Sequence, residues 1–428
     1  MPQVPTGVRH VLRRGDFRRL LATRLFSQFG DGVFQAALAG TVLFNPQRAA
    51  EPLDIAAGFA VLLLPYSLVG PFAGVWLDRW SRRQVLLRAN VIRAGLVAVV
   101  AVLTLGGVEG AIFYTAGLAV FSVNRFVLSA LSAGLPHTTD EPSLVTANAL
   151  STTAGGVSTV LGGAAALLAL AATGSADAGH AAMALASAVP YLAASAVVSG
   201  FPRPYLGPDH MASAAHRSAR DTARDTLLGM VAGARHVAAR PPAAAALLAI
   251  GLHRFCYGVF TLMTLLLYRN TFDDGGGLFP GGILGLGQVV AAAAVGSLVA
   301  AVVTPPVVRG IGTRRWIPAL LVGGGAAQLA LGLLFTTVAV VLVGVLLGFV
   351  AQAVKICVDS TLQETVEDDF RGRVFSVYDT LFNLTFVVAL VAGAFTLPES
   401  GVSSAVPVVV AGGYLLAAVT YSRITRAH

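Results

Sequence analysis

Twelve apolar runs, each about as long as a bilayer is thick, constrain this chain more than anything else in it. They lie at about 20–44, 55–77, 85–107, 111–135, 144–173, 180–200, 243–268, 281–304, 316–336, 338–362, 373–397 and 402–423. A helix needs roughly 20 apolar residues to cross hydrocarbon. Lipid offers the backbone no hydrogen-bond partners, so each run is expected to be helical. The period-two alternation of a membrane barrel is missing. Composition agrees, with 56% hydrophobic and only 12% charged residues in 428, against about 25% charged in soluble domains. The expected fold class is an all-α membrane protein: twelve transmembrane helices in two pseudo-symmetric six-helix bundles.

Charge placement orients the chain. Most of the 29 basic residues fall in loops that share one side: the N-terminal stretch, the 2–3 loop, the centre of the chain, the 8–9 and 10–11 loops and the C-terminal end. Only Arg48 and Arg269 fall in loops of the other side. The positive-inside rule then places both termini in the cytoplasm, and the expected location is a bacterial inner membrane. The net charge of +8 is accounted for by anionic headgroups, and no nucleic-acid partner is expected. Cys256 and Cys357 both fall within expected helices, which suggests neither a disulfide framework nor a metal site. No removable signal peptide is expected in the basic, polar first residues.

Three segments are expected: an N-terminal six-helix bundle over 1–200, a cytoplasmic linker over 201–241, and a C-terminal six-helix bundle over 242–428. Within the linker, 217–239 can form an amphipathic surface helix. The halves read as distant copies. A shift of 230 places Arg24 on Arg254 and Arg125 on Lys355. Internal repeats of this kind are common in secondary transporters.

Ionisable residues inside spans cost about 2.5–3.5 kcal/mol each at mid-bilayer, so several together must face protein or water. Their spacing is helical. Segment 1 carries Arg24, Gln28, Asp31 and Gln35 on one face, and segment 10 carries Gln352, Lys355, Asp359 and Gln363. Segment 4 adds Arg125, segment 7 Arg254 beside His253, and segment 11 Asp379 and Asn383 one turn apart. Lys355 is the only lysine in the chain, and lysine, unlike arginine, can lose its proton when desolvated. Three roles are open to it: an ion pair with Asp359, a substrate or proton site, or a residue snorkelling to a helix end. Asp31 is either a proton carrier or the partner of Arg24 or of another helix. Arg88 and Arg93 are expected to snorkel to the interface.

Between segments 2 and 3, Gly74 to Arg83 reads GVWLDRWSRR. This resembles the signature loop of the major facilitator superfamily, Gly-x-x-x-Asp-Arg-x-Gly-Arg-Arg, with Ser81 standing where the second glycine is usual. RLFSQFGDGVFQAAL in segment 1, TANAL at Thr146–Leu150 and DSTLQETVEDDFRGRVFS at Asp359–Ser376 resemble the branch holding the enterobactin exporter and macrolide-efflux-type permeases. The resemblance implies the major facilitator fold, with helices 1, 4, 7 and 10 lining a cavity. It implies a conformational switch at Gly74, Asp78, Arg79, Arg82 and Arg83. There, Asp78 meets the N-terminus of helix 11, and the arginines meet Glu367, Asp368 and Asp369 or lipid. It also implies a role in proton coupling for Arg125, and a monomer as the working form.

The expected function is export of a small organic molecule (a drug, siderophore or metabolite) by proton antiport and alternating access. The partners are then the small-molecule substrate, protons and membrane lipids, with no cofactor. An uptake permease or a lysolipid flippase shares the scaffold, and a non-transporting sensor is the remaining alternative. Enzyme signatures such as His-Glu-x-x-His or Gly-x-Ser-x-Gly are missing from the sequence. The expected cavity set is Arg24, Asp31, Arg125, Arg254, Lys355, Asp359, Asp379 and Asn383.

Overall fold

The computed structural model describes residues 8–43, 52–68, 80–173, 176–207, 219–272 and 277–426. Among the described residues there is no strand. The first half contains α1 (Val8–Arg13), α2 (Gly15–Leu43), α3 (Pro52–Leu68), α4 (Arg82–Leu105), α5 (Ala111–Gly134), α6 (Leu144–Thr173), α7 (Asp177–Ala186) and α8 (Ala188–Ser199). The second contains α9 (Ala219–Ala238), α10 (Pro241–Asn270), α11 (Gly282–Ile311), α12 (Thr313–Gly332), α13 (Thr337–Thr365), α14 (Asp368–Ala394) and α15 (Ala405–Arg426).

Nine spans among the described residues are long and apolar enough to cross a membrane, one of them formed by α7 and α8 together. The other three expected positions are taken by α2, α3 and α12. α2 is long enough at 29 residues, but the polar residues Arg24, Gln28, Asp31 and Gln35 interrupt it. α3 has 17 residues and α12 has 20. Outer faces are apolar: Val160, Leu168, Leu298 and Val302 are each 70–75% exposed, a surface that suits lipid and not water.

Local chemistry sets the helix ends. α10 opens on Pro241 and Pro242, where the missing N–H costs nothing. Thr336 caps α13 by accepting from the Ala339 amide at 3.3 Å. The sixth run was expected as one helix, but it is broken at Ser187. Pro190 has no N–H to donate to the carbonyl of Ala186, so the ladder cannot run on there. The Ser187 hydroxyl donates instead to the Ala184 carbonyl at 2.6 Å. Gly312 alone joins α11 to α12, with φ of 77°, a conformation that strains any residue with a Cβ.

The chain folds as two compact units, Met1–Ala49 with Leu64–Thr226, and Ala50–Leu63 with Leu227–His428. In the first unit, α2 packs along α6 through glycine. A Cβ on Gly162 would strike the Phe29 carbonyl oxygen, and one on Gly32 would strike that of Thr159. In the second, α11 and α13 meet likewise at Gly296 and Gly348. Small residues let helix backbones approach this closely. An apolar plug of Phe17, Leu20, Leu86, Leu131, Leu135 and Leu206 closes one end of the first unit.

α1 is fastened beside that plug. Asp140 accepts from Arg14 at 2.9 Å and lies 3.4 Å from His10. Burial acts to raise the Asp140 pKa, but its own backbone amide, Ser143, Arg14 and His10 together hold it below the ordinary 3.8. A depressed carboxylate pKa stabilises above the unfolded value and is lost as pH falls through the folded one. The fastening should therefore persist from neutral pH down to the ordinary carboxylate range and release below it. Asp140→Asn should release α1 already at neutral pH, read as faster amide hydrogen exchange over Val8–Arg13. Unchanged exchange would mean that the plug alone holds α1.

Candidate functional site

Two polar clusters are built inside the units, and they differ in access. In the first unit, Asp31 on α2 forms an ion pair with Arg93 on α4, and their side chains are 4% and 0% exposed. Tyr191 on α8 donates its hydroxyl to Asp31 at 3.1 Å, and the Arg93 guanidinium lies 3.8 Å from the centre of the Tyr191 ring. Arg93 also donates to Ser27 at 2.9 Å and to Asn90 at 3.3 Å, and Ser27 donates to Asn90 at 3.1 Å. The expected snorkelling of Arg93 is thus overturned, because a carboxylate across the helix interface outweighs the distant headgroups. Arg88 is exposed.

Arg24 is buried on α2 and donates to Ser132 of α5 at 3.3 Å. It does not pair with Asp31. Arg125 is half-buried on α5.

The second cluster spans α10, α13 and α14. Lys355 and Asp359, one turn apart, are paired at 2.6 Å with side chains 41% and 27% exposed. The Lys355 ammonium lies 5.7 Å from the centre of the Tyr378 ring. The Tyr378 and Phe382 ring centres are 5.9 Å apart. Over Phe382 sits the Arg254 guanidinium, at 4.0 Å, and it is 4.3 Å from Phe386 and 5.6 Å from Tyr257. Its Nε donates to the Phe382 carbonyl at 3.2 Å. His253 is buried behind, between Tyr257 and Tyr414. Asp379 is exposed on α14, and Asn383 donates to the Asp379 carbonyl at 2.8 Å.

This arrangement presents a cation walled by aromatic faces beside an accessible ion pair. Aromatic rings hold a guanidinium by cation–π attraction, about 0.5–2 kcal/mol each. The expected residues Arg254, Lys355 and Asp359 come together here, with Asp379 and Asn383 on the neighbouring helix. Arg24, Asp31 and Arg125 belong to the other unit. Sequence reasoning missed the aromatic members. Their signal was present, since Tyr378, Phe382 and Phe386 recur every fourth residue.

Of the signature loop, Gly74, Asp78 and Arg79 lie outside the described residues. Arg82 donates to the carbonyls of Ala133 at 2.9 Å and Leu206 at 3.2 Å, and is 3.1 Å from His137. Arg83 donates to the Ser199 carbonyl at 2.7 Å. Both therefore cap helix C-termini, where carbonyls are unpaired and the dipole is negative. Glu367 is bound by Arg240, while Arg79 and the side chains of Asp368 and Asp369 lie outside the described residues.

A family model, Major Facilitator Superfamily, matches residues 20–390. Two mycobacterial proteins described as uncharacterized MFS-type transporters, from Mycobacterium bovis and Mycobacterium tuberculosis, are each 38% identical over 389 residues, covering 90% of this chain and 86% of theirs. Among solved structures, the nucleoside transporter NupG superposes with a TM-score of 0.70 at 13% identity, over 96% of this chain and 99% of that one. A POT family transporter in complex with a thioalcohol-conjugated peptide gives 0.70 at 12% identity, over 96% of each. The protein is a multi-pass membrane transporter, not an enzyme, and it belongs to the major facilitator superfamily.

Proposed function

We propose that this transporter exports a small zwitterionic organic molecule in exchange for protons, by alternating access, from a bacterial cytoplasm to which both termini belong. The observation that carries the reading is the accessible Lys355–Asp359 pair beside the aromatic-walled Arg254. A proton and an ammonium group compete for the same Asp359 carboxylate, so substrate and proton exclude each other, as antiport requires. The acidic end of the substrate then takes Arg254 or the released Lys355, and its flat parts lie against Tyr378 and Phe382. A purely anionic cargo would give the opposite linkage, because protonating Asp359 frees Lys355 to bind it. That would be symport, the behaviour of an uptake permease.

Asp359 is the better proton carrier of the two aspartates paired within the expected spans. Asp31 is held by Arg93 and Tyr191 and is closed to water, so it reads as a structural residue.

A thermal-shift screen of zwitterionic metabolites, siderophores and antibiotics supplies the cargo. In proteoliposomes, an imposed pH gradient should then drive that cargo against the proton flow. Asp359→Asn should lose gradient-driven flux by at least about tenfold, the signature of a lost acid–base group, and, because the amide imitates the protonated carboxylate, it should also weaken cargo binding. Flux in the same direction as protons would replace antiport with symport. Full coupling in the variant would remove Asp359 from the mechanism.

A further inference from the structure

We propose that α9 and the first turn of α14 form a binding site for an anionic phospholipid of the surrounding bilayer. α9 ends at Ala238 and the spanning helix α10 begins at Pro241, so α9 lies where a span leaves the hydrocarbon. Its inner face is pinned to α14: Gly233 lets the Arg373 backbone approach to 3.0 Å of where its Cβ would stand, and His236 stacks on Phe370 at 4.1 Å. Arg240 closes the end of the site, bound to Glu367 and to the His236 carbonyl.

The outer face of α9 is unlike that of a water-facing helix. Leu227, Leu228 and Val231 are 54%, 56% and 47% exposed. Arg224 and Arg235, both exposed, lie on the same stripe at helical spacing. Leucine and valine interleaved with arginine is the pattern of a helix lying in a headgroup layer. Beside this stripe runs a groove of 490 Å³, with walls of Leu228, Val231 and Phe370 and with Arg235, His236 and Arg240 along it. The described lining of the groove holds no carboxylate, and Glu367, which meets it at Arg240, is already bound there. The apolar walls suit an acyl chain, and Arg235 suits the phosphate. A protein partner would need no such pairing of chain-like groove with headgroup charge. The site is independent of the transported cargo.

The test places an environment-sensitive fluorophore on the full-length protein at Leu228→Cys. Both native cysteines are buried, so labelling is selective. The protein is reconstituted in nanodiscs of phosphatidylcholine alone, or with increasing phosphatidylglycerol. Emission should shift to the blue as phosphatidylglycerol rises. Arg235→Gln should raise the fraction needed by about fivefold, the value of one arginine near an anionic surface, and Arg235→Lys should restore most of it. Arg203→Gln, an exposed arginine elsewhere, should leave the curve in place. Equal emission in both nanodiscs would overturn the proposal. So would a blue shift already present in detergent, which would mean burial against the chain itself or a second copy. A shift produced by soluble glycerol phosphate would also overturn it, since the ligand would then not be a bilayer lipid.

Discussion

Arg93→Met should destabilise the protein by about 3–5 kcal/mol, the cost of removing one partner from a buried ion pair. Methionine fills much of the same volume, so the loss is electrostatic rather than a cavity effect. It leaves the Asp31 carboxylate, 4% exposed, with the Tyr191 hydroxyl as its remaining described partner. It also removes the donor to Ser27 and Asn90 and the cation from the face of Tyr191. The pair ties α2, α4 and α8, so its loss should loosen the whole first unit. The companion Asp31→Asn/Arg93→Met should recover most of the loss, because exchanging both members of a buried pair for neutral groups is often neutral. Thermal unfolding of the purified protein in detergent reads both. A single variant melting with the wild type would mean that water reaches Asp31, and the aspartate would return as a candidate proton carrier.

The second large effect concerns glycines that look alike in sequence. Gly162→Leu and Gly348→Leu should prevent the folded protein from accumulating. The added carbons would have to occupy the space of the Phe29 and Ala293 carbonyls, and backbone cannot move aside as a flexible side chain can. Even alanine there should cost about 1–3 kcal/mol. Gly156 has nothing within 4 Å of its would-be Cβ, and Gly163 meets only the Gly32 carbonyl at 3.6 Å. Alanine at those two should be neutral or gain up to about 1 kcal/mol from helix propensity. Fluorescence-detected size exclusion after heating separates the two classes. Similar profiles for Gly162→Ala and Gly163→Ala would refute the close crossing of α2 and α6.

The spans and their polar faces were legible because bilayer thickness and the helical repeat both leave one-dimensional traces. Lys355 and Asp359 were legible as a pair for the same reason, being one turn apart on one helix. Partners on different helices were not. Periodicity says which residues share a face, but not which helix that face meets. Hence the sequence leaves Asp31 open to a proton, to Arg24 or to another helix, and only the packing shows that Arg93 and Tyr191 arrive from two other helices. The glycines of α6 fail for a related reason: Gly155, Gly156, Gly162 and Gly163 are equivalent in the sequence, and only the crossing of α2 distinguishes them. The break at Ser187 was readable from Pro190 and was overlooked because hydropathy runs on across it. The aromatic wall of α14 is hidden for the same reason as the partners of Asp31, since the four-residue spacing of Tyr378, Phe382 and Phe386 puts them on one face without saying that Arg254 meets it.

α11 and α12 are hinged on nothing longer than Gly312. A connection that short has no slack in it. Wherever the end of one helix moves, the start of the next must stay within a single residue's reach, about 3.8 Å per link, so the two are tethered at that corner.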